Sequence, residues 1–364
     1  MKTYKYPLVP GPVSVPLKYR EAYLTDYGSS DLEDDFYSLL ADNQTLVKRL
    51  LRTKNDVTIQ SGEAMLILWG AMKSTLRAKE RLLCISNGLF GHGAGEMAEA
   101  IGAEVEYLEA PDGEFVTPEA VREKVASFRP DMVTAVHCET PSGLLNPIQD
   151  IAAAVAESGA LFYVDFVASA AGAEVRVDDW GIDLGLLGSQ KCLSILPDLS
   201  ILTVSERAWK KAESVGYAGY DAILPWRSAI ETKSMPCTHN WHANAALNLS
   251  LRHILDEEGL EQSFARHAEA AEYCRGRIRA MGLRLYAADD SIASPTVTAV
   301  LVPDGWTWPE LDMALRARGT VVGGSYGKLA GRVFRIGHMG SQADMELLKN
   351  GLDILEDVLK SKTR

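Results

Sequence analysis

Short apolar runs alternate with longer amphipathic segments through the middle of the chain. The runs are rich in residues that favour strands, and the segments between them place apolar residues at helical spacing. The runs that predict strands are residues 57–59, 81–85, 105–108, 132–136, 161–164, 184–187 and 200–204. Strand and helix in turn indicate an α/β fold with a mostly parallel sheet that is covered by helices on both faces.

The two ends of the chain show other patterns. Residues 1–20 are rich in proline and glycine, which predicts an irregular arm that packs on the other domains. Residues 21–256 are assigned to a large domain, with helical spacing over 31–51 and again over 243–256. Residues 257–364 are assigned to a small C-terminal α+β domain, with predicted helices at 262–280, 308–318 and 342–360 and strands near 283, 296–302, 320 and 333.

The charge of the chain narrows the choice of partners. A formal net charge of −12 argues against a nucleic acid or an anionic membrane surface, because both select basic patches. A small-molecule substrate fits this composition better. Neither the N-terminal sequence nor any later run is apolar enough for a signal peptide or a membrane span, so we expect a cytoplasmic protein.

The metal-binding residue types are scattered. The five cysteines have no Cys-x-x-Cys spacing, which argues against both a zinc site and a disulfide framework. The seven histidines likewise lack the spacing of metal ligands. We therefore assign no metal.

Two residues of opposite charge follow neighbouring predicted strands. Asp165 ends the apolar run 161–164, and Lys191 comes 26 positions later, after the small polar turn 188–190. A carboxylate at the end of a buried strand needs a cationic partner, and a buried lysine has a lowered pKa and a nucleophilic amine. Pyridoxal chemistry uses such a pair, because the lysine holds the aldehyde as a Schiff base and the acid holds the ring nitrogen. The structural alternatives are a surface lysine and an aspartate that caps a turn.

Two more polar side chains are expected near this pair. Thr140 lies in a segment dense in turn residues after the strand 132–136, where its hydroxyl is placed to donate to the phenolate oxygen of the ring. Arg335 ends a short apolar run, and a guanidinium there is suited to binding a substrate carboxylate through two parallel hydrogen bonds. A turn residue and a surface ion pair are the corresponding alternatives.

Six ordered motifs resemble the class V aminotransferases of PLP fold type I. They lie at residues 10–12, 87–91, 137–147, 164–169, 188–192 and 335–340, and the resemblance runs through nearly the whole chain. It implies a large domain with a mostly parallel seven-stranded sheet, a small C-terminal domain, and a homodimer or homotetramer. It also implies site residues by position. Phe90 would stack on one face of the pyridine ring and Val167 would pack under the other, while Gln190 and Thr238 of the partner subunit would lie near the 5′ substituent.

One position departs from the family pattern where the cofactor phosphate is held. Most members have hydroxyls there, whereas this chain reads Ser-Gly-Glu-Ala-Met at 61–65, so that Glu63 replaces a hydroxyl beside Ala64 and Met65. A phosphomonoester carries about −1.5 to −2 charges. Each unit charge about 4 Å from a carboxylate costs roughly 4 kcal/mol at an effective dielectric of 20. A neutral 5′-hydroxyl would instead donate a hydrogen bond worth about 1.5 to 3 kcal/mol. We therefore expect an unphosphorylated ring, unless Glu63 turns toward solvent or a local lysine.

Within the family, the resemblance is strongest to the members that take pyridoxamine and pyruvate as substrates and release pyridoxal and alanine. In these members the vitamin is a reactant that is bound at the lysine, here Lys191, and not a resident cofactor. One further departure is Tyr326, which stands where such members have a second arginine. Binding of the substrate carboxylate would then depend on Arg335 alone.

Three alternatives remain open from the sequence. The first is a transaminase of the alanine:glyoxylate or serine:pyruvate type that uses pyridoxal 5′-phosphate as an ordinary cofactor. The second is a nicotinamide dehydrogenase, suggested by glycines at 88, 91, 93 and 95, although their spacing is not that of the dinucleotide fingerprint. The third is a non-catalytic interaction protein on the same scaffold, which the presence of Lys191, Asp165 and Arg335 disfavours.

Overall fold

The protein was examined as a computed structural model, which describes residues 3–362. Within this range there are thirteen strands: β1 (Tyr6–Leu8), β2 (Asp56–Ser61), β3 (Arg81–Ser86), β4 (Glu104–Glu109), β5 (Met132–Val136), β6 (Cys138–Glu139), β7 (Leu144–Leu145), β8 (Leu161–Asp165), β9 (Leu184–Gly188), β10 (Leu199–Val204), β11 (Val297–Leu301), β12 (Thr320–Gly324) and β13 (Val333–Gly337).

The same range contains eleven α-helices: α1 (Leu17–Arg20), α2 (Asp34–Leu50), α3 (Ala64–Thr75), α4 (Leu89–Ile101), α5 (Pro118–Phe128), α6 (Ile148–Ala156), α7 (Glu206–Val215), α8 (Trp241–Arg252), α9 (Leu260–Ala280), α10 (Trp308–Ala317) and α11 (Met345–Lys362). A π-helical segment, His253–Glu258, continues α8, and α9 starts after Gly259.

The large sheet has seven strands in the order β2-β10-β9-β8-β5-β3-β4. Every neighbouring pair runs parallel except the two pairs made by β10, which is antiparallel to both β2 and β9. This is the mostly parallel sheet that the sequence predicts, with each of the seven apolar runs forming one strand. Because parallel strands end at one edge, Val136 of β5 pairs in register with Asp165 of β8, and Asp165 pairs with Leu186 of β9.

Helices cover both faces of this sheet. Alternating strand residues point to opposite faces, so Val164 packs with the cluster that contains α2, α5, α6 and α8, and Tyr163 packs with the cluster that contains α3, α4 and α7. Both faces are therefore buried, which explains why the central strands read as continuous apolar runs.

The small sheet has four strands in the order β1-β12-β13-β11. Strand β1 runs parallel to β12, with Tyr6 opposite Thr320, so the prediction of an arm without regular elements is wrong for this segment. The short apolar triplet at residues 6–8 had no periodicity of its own to reveal a strand, and only its pairing with β12 makes it one. The short helix α1 is a second element within the same arm.

Two local differences concern individual elements. The strand expected near residue 283 is only an isolated bridge between Leu285 and Val300. Helix α7 was not predicted, although Ser205 caps it by accepting a hydrogen bond from the backbone N–H of Ala208. No helix in the described part of the chain is long and apolar enough to cross a bilayer.

Candidate active site

Lys191 lies in the turn between β9 and β10, at the carboxyl edge of the large sheet. Its Nζ donates a hydrogen bond to the carbonyl oxygen of Pro10 at 2.7 Å. The next residue of the arm, Gly11, has a φ of +84°, and a Cβ there would collide with the lysine side chain. Burial and the nearby charge of Arg335 lower the pKa of Lys191 to about 8, so a substantial fraction of the amine is neutral near neutral pH.

Asp165 ends β8 and faces the same space as Lys191. Its Oδ1 accepts a hydrogen bond from the backbone N–H of Val167 at 2.8 Å. Burial raises the pKa of Asp165 to about 6, while the Val167 N–H and the Lys191 charge act in the opposite direction. Such a carboxylate gains most from a cationic partner, because the partner offsets the cost of burying the charge.

These two residues line a cavity of about 270 Å³. The cavity brings together nine of the residues that the sequence singled out: Glu63, Ala64, Met65, Phe90, Thr140, Asp165, Val167, Gln190 and Lys191. Gly11 and Pro12 of the arm and Cys138 of β6 also line it. An aldehyde-bearing aromatic ring fits its chemistry, because an amine and a carboxylate lie on an otherwise largely apolar wall.

Glu63 is turned toward this cavity and not toward a lysine. It is the N-cap of α3, where its Oε2 accepts a hydrogen bond from the backbone N–H of Met65 at 2.9 Å. Its Oε1 accepts a second hydrogen bond from Gln190 Nε2 at 2.5 Å. The other amide atom, Gln190 Oε1, is buried and has no hydrogen-bond partner among residues 3–362. This end of the cavity therefore presents the carboxylate of Glu63, and not the buried Gln190 Oε1, to whatever binds there.

Arg335 lies on β13 behind Thr140 and does not itself line the cavity. Its Nη1 donates to the carbonyl oxygen of Thr140 at 3.3 Å, and its Nε donates to the carbonyl oxygen of Gly324 at 2.8 Å. The ring of Tyr326 covers the guanidinium, with 4.8 Å between Cζ and the ring centroid. The arginine is thus held beside the cavity by carbonyls and by a cation–π contact.

Thr238 is the one predicted ring-binding residue that lies apart from the others in this chain. Thr238 is exposed on the surface of this chain, and its hydroxyl donates a hydrogen bond to Asp31 Oδ2 at 3.0 Å. The sequence places it at the site of a partner subunit, and that assignment stays a prediction.

Glu139 is a site residue that sequence reasoning missed. It is fully buried on β6, and its two carboxylate oxygens accept the backbone N–H groups of Phe90 and Gly91 at 3.0 and 2.9 Å. It thereby caps the first turn of α4, whose own N-cap, Gly88, has no side chain to do so. Burial raises the pKa of Glu139 to about 7. The contact joins segments 49 residues apart, so no local pattern in the sequence could have revealed it.

A second cavity of about 220 Å³ is lined in part by Pro141 and Tyr326. It lies between the start of α4 and the short turn at 327–329, and its polar lining includes Asn87, His92 and Glu109. Within residues 3–362, no group of three or more His, Cys, Asp or Glu side chains is arranged to hold a metal ion.

The chain was compared with known proteins and solved structures. The sequence model described as Aminotransferase class-V matches residues 17–330. A pyridoxamine–pyruvate transaminase of Mesorhizobium japonicum is 36% identical over 302 residues, which is 81% of this chain and 77% of that protein. An alanine–glyoxylate aminotransferase of Callithrix jacchus is 31% identical over 338 residues, which is 90% of this chain and 80% of that protein.

The crystal structure of ureidoglycine–glyoxylate aminotransferase from Bacillus subtilis superposes with a TM-score of 0.95 at 30% identity, covering 100% of this chain and 95% of that one. The fold is therefore that of the PLP fold type I aminotransferases, and the protein is a transaminase that acts on small molecules. Relatives with three different substrate pairs match at similar identity, so the similarity extends to the reaction class and not to the substrate. The chain belongs to the class V aminotransferase family.

Proposed function

We propose that this transaminase moves an amino group between unphosphorylated pyridoxamine and pyruvate, giving pyridoxal and L-alanine. The observation that carries the proposal is the position of Glu63. Its carboxylate faces the cavity at the N-terminus of α3, where it already accepts the backbone N–H of Met65. A helix N-terminus is a ready site for an anion, and here a side chain of the protein supplies that anion.

The groups around Glu63 favour a neutral alcohol over a phosphate. The Glu63 carboxylate offers acceptor oxygens at this end of the cavity, so a bound group that brings a hydrogen-bond donor is favoured. A 5′-hydroxyl brings such a donor, whereas a phosphate dianion brings two further negative charges. Each of these charges would be repelled by the carboxylate by roughly 4 kcal/mol at about 4 Å and an effective dielectric of 20.

Lys191 and Asp165 carry the chemistry in this proposal. Bound pyridoxal supplies the aldehyde carbon and a ring that withdraws electrons when its nitrogen is protonated. The neutral amine of Lys191 would condense with the aldehyde carbon and release water. Once the amino group of alanine has displaced it from that carbon, the freed amine would carry a proton between the substrate carbon and C4′ as general acid and base. The Asp165 carboxylate holds the proton on the ring nitrogen, because burial makes an opposite charge beside it favourable.

Other residues in and beside the cavity orient the reactants. Phe90 and Val167 pack on opposite faces of the ring, and the Thr140 hydroxyl donates to the ring oxygen. Arg335 binds the carboxylate of pyruvate or alanine, and its bond to the Thr140 carbonyl keeps the guanidinium next to the cavity. These roles follow from position and hydrogen-bonding capacity.

A paired titration tests this function. The purified protein is titrated with pyridoxal and, separately, with pyridoxal 5′-phosphate, and the visible absorbance that appears when Lys191 binds the aldehyde is followed. We expect tighter binding of pyridoxal, and conversion of pyridoxamine plus pyruvate to pyridoxal plus alanine. The Lys191→Ala variant serves as the control and should give neither the absorbance nor turnover.

The opposite order of affinity would favour the alternative function. A protein that is yellow as purified, keeps its colour on dialysis and exchanges alanine with glyoxylate would be a transaminase with resident pyridoxal 5′-phosphate. Turnover of pyridoxamine by Lys191→Ala at the wild-type rate would remove the proposed role of the lysine in either case.

We also propose that the protein is a homodimer or homotetramer. Exposed leucines flank cavity residues in the sequence: Leu66 follows Met65, Leu89 precedes Phe90, and Leu196 precedes Pro197. Apolar side chains around a site mouth are suited to a subunit interface, which would bring in the partner's Thr238. Light scattering should give at least twice the monomer mass, and Thr238→Ala should weaken pyridoxal binding. A monomer with full activity would contradict this proposal.

The remaining assignments are proposals of the same kind. The arm, large domain and small domain are divided at residues 20 and 256. A cytoplasmic location fits the five cysteines, all of which are free thiols.

A further inference from the structure

A third, much smaller cavity is lined by Asp165 and not by Lys191. Its volume is about 10 Å³, and its walls are formed by β5, β8 and the first turns of α4 together with Leu68 of α3. Asp165 lines both this cavity and the large one. Asp165 therefore borders both the ring site and this smaller cavity.

Two buried hydroxyl groups line the same small cavity. Thr134 on β5 and Tyr163 on β8 are Cα partners in the parallel register, two residues before the pair Val136 and Asp165. Both hydroxyls therefore lie on the face of the sheet that carries the Asp165 side chain. Tyr163 is 2% exposed and Thr134 is 4% exposed. Among the described residues the Tyr163 hydroxyl has no hydrogen-bond partner, and the Thr134 hydroxyl has only the thiol of Cys84 beside it.

The neighbouring groups do not supply either hydroxyl with a strong hydrogen-bond partner. The thiol of Cys84, which pairs in register with Thr134 across β3 and β5, donates its hydrogen to the carbonyl oxygen of Gly91, and its sulfur is only a weak acceptor for the Thr134 hydroxyl. The remaining walls are largely apolar. A buried hydroxyl without a partner is costly, so two of them around one polar cavity indicate a bound polar molecule.

The size of the cavity and its polar groups together indicate that this molecule is water. A cavity of roughly 10 to 15 Å³ holds one water, and a buried water needs two to four polar partners. This cavity has that volume and offers three such partners, namely two hydroxyls and one carboxylate.

We propose that the cavity binds one water molecule that links the Asp165 carboxylate to the hydroxyls of Tyr163 and Thr134. The Tyr163 hydroxyl donates to the water oxygen, and the water donates one hydrogen to Asp165 and the other to Thr134 Oγ1. Tyr163 and Thr134 are positioning residues in this arrangement, because they hold the water and do not touch the substrate. The site itself does not depend on which substrate the enzyme uses.

The water favours the ionised form of Asp165. Burial, Glu63 of α3 and Glu139 of β6 all oppose a charge on this carboxyl group, and the Lys191 charge and the Val167 N–H support it. A water that donates a hydrogen bond to the carboxylate further stabilises the ionised form of Asp165. Tyr163 stays protonated as the donor, because burial holds its pKa well above the usual range. The consequence that the ring nitrogen keeps its proton rests on the proposed function.

Crystallography of the protein without added vitamin tests the site directly. We expect an ordered water within about 3.2 Å of Asp165, Tyr163 and Thr134. The variants Tyr163→Phe and Thr134→Val each remove one hydroxyl with little change in shape, and we expect the water to be lost or displaced in both. A wild-type cavity without water, with both hydroxyls bonded to protein groups, would overturn the proposal.

A carboxyl ¹³C NMR titration tests the coupling to Asp165, with its signal assigned by Asp165→Asn. We expect each hydroxyl variant to raise the pKa of Asp165 by about one unit, which is the shift for the loss of one such hydrogen bond. Thr203→Val is the matched control, because Thr203 also carries a buried, unpartnered hydroxyl on this sheet but does not line the cavity. An unchanged pKa in both hydroxyl variants, or an equal shift in the control, would contradict the coupling. Neither measurement uses turnover, so failure of the proposed substrate assignment would leave both results interpretable.

Discussion

Gln190 donates its side-chain amide to the carboxylate of Glu63 across 2.5 Å, and this contact joins the turn that carries Lys191 to the first turn of α3. The pair holds an acidic group where an anion-binding helix terminus opens onto the cavity. The specificity of the enzyme for the form of vitamin B6 should therefore depend on the charge of Glu63.

Replacing Glu63 by serine should invert the preference for the vitamin form. Glu63→Ser removes the negative charge and frees the N-terminus of α3, so affinity for pyridoxal 5′-phosphate should rise by about 100-fold, or about 2.7 kcal/mol. Affinity for pyridoxal should fall at the same time. Both dissociation constants are measured by absorbance titration, and Glu63→Gln separates the loss of charge from the loss of the side chain. An unchanged ratio of the two constants in Glu63→Ser would contradict the electrostatic explanation.

The rate at which the protein reacts with pyridoxal should increase with pH. The neutral amine is the nucleophile and the pKa of Lys191 is lowered to about 8, so the rate should rise through pH about 8 and level off above it. Arg335 contributes to this lowering, and Arg335→Met should therefore move the midpoint to higher pH. Arg335→Lys keeps the positive charge and should leave the midpoint nearly in place. Stopped-flow absorbance over a pH series measures both, and equal midpoints in the two variants would count against the role of the arginine charge.

Tyr326 should limit the affinity for the carboxylate substrate. Its ring covers the guanidinium of Arg335, where a second cation would otherwise assist in binding the carboxylate. Tyr326→Arg should lower the KM for pyruvate by up to about fivefold, corresponding to one additional exposed charge contact of up to about 1 kcal/mol. Tyr326→Phe retains the ring over the guanidinium and should change the KM little. If the arginine variant has the same KM as the phenylalanine variant, the carboxylate does not reach this position.

Glu139 should make stability depend on pH in the direction opposite to that of a paired surface carboxylate. Its pKa is raised from 4.5 to about 7 in the folded protein, so the folded state binds more protons than the unfolded state between these values. Its contribution to the free energy of unfolding should therefore decrease as pH rises through this window. Urea denaturation over a pH series measures the change, and Glu139→Gln should remove this component while weakening the start of α4. A variant with the wild-type pH slope would show that other groups cause it.

The sequence was sufficient to predict the elements that have their own periodicity. All seven strands of the large sheet follow apolar runs, and the carboxyl-edge rule then brings Asp165 and Lys191 to one place. Strand β1 and the capping of α4 by Glu139 were not predictable in this way. Each depends on a contact between segments far apart in the chain, and in neither case does the local sequence carry the signal.

For Glu63, the sequence predicted that the residue lies at the site but not the direction of its side chain. The replacement of a hydroxyl by a carboxylate was visible, whereas the two hydrogen bonds that fix its direction come from Met65 and Gln190. The hydroxyls of Thr134 and Tyr163 were invisible as a pair, because only the register of β5 and β8 sets them side by side.

The segment from Tyr6 to Pro10 determines what a truncated form of the protein would lose. Strand β1 is an edge of the small sheet, and two residues later the carbonyl of Pro10 is the hydrogen-bond acceptor for Lys191. A recombinant version shortened by about ten residues would thus lose an edge strand in one sheet and the anchor of the reactive amine in the other.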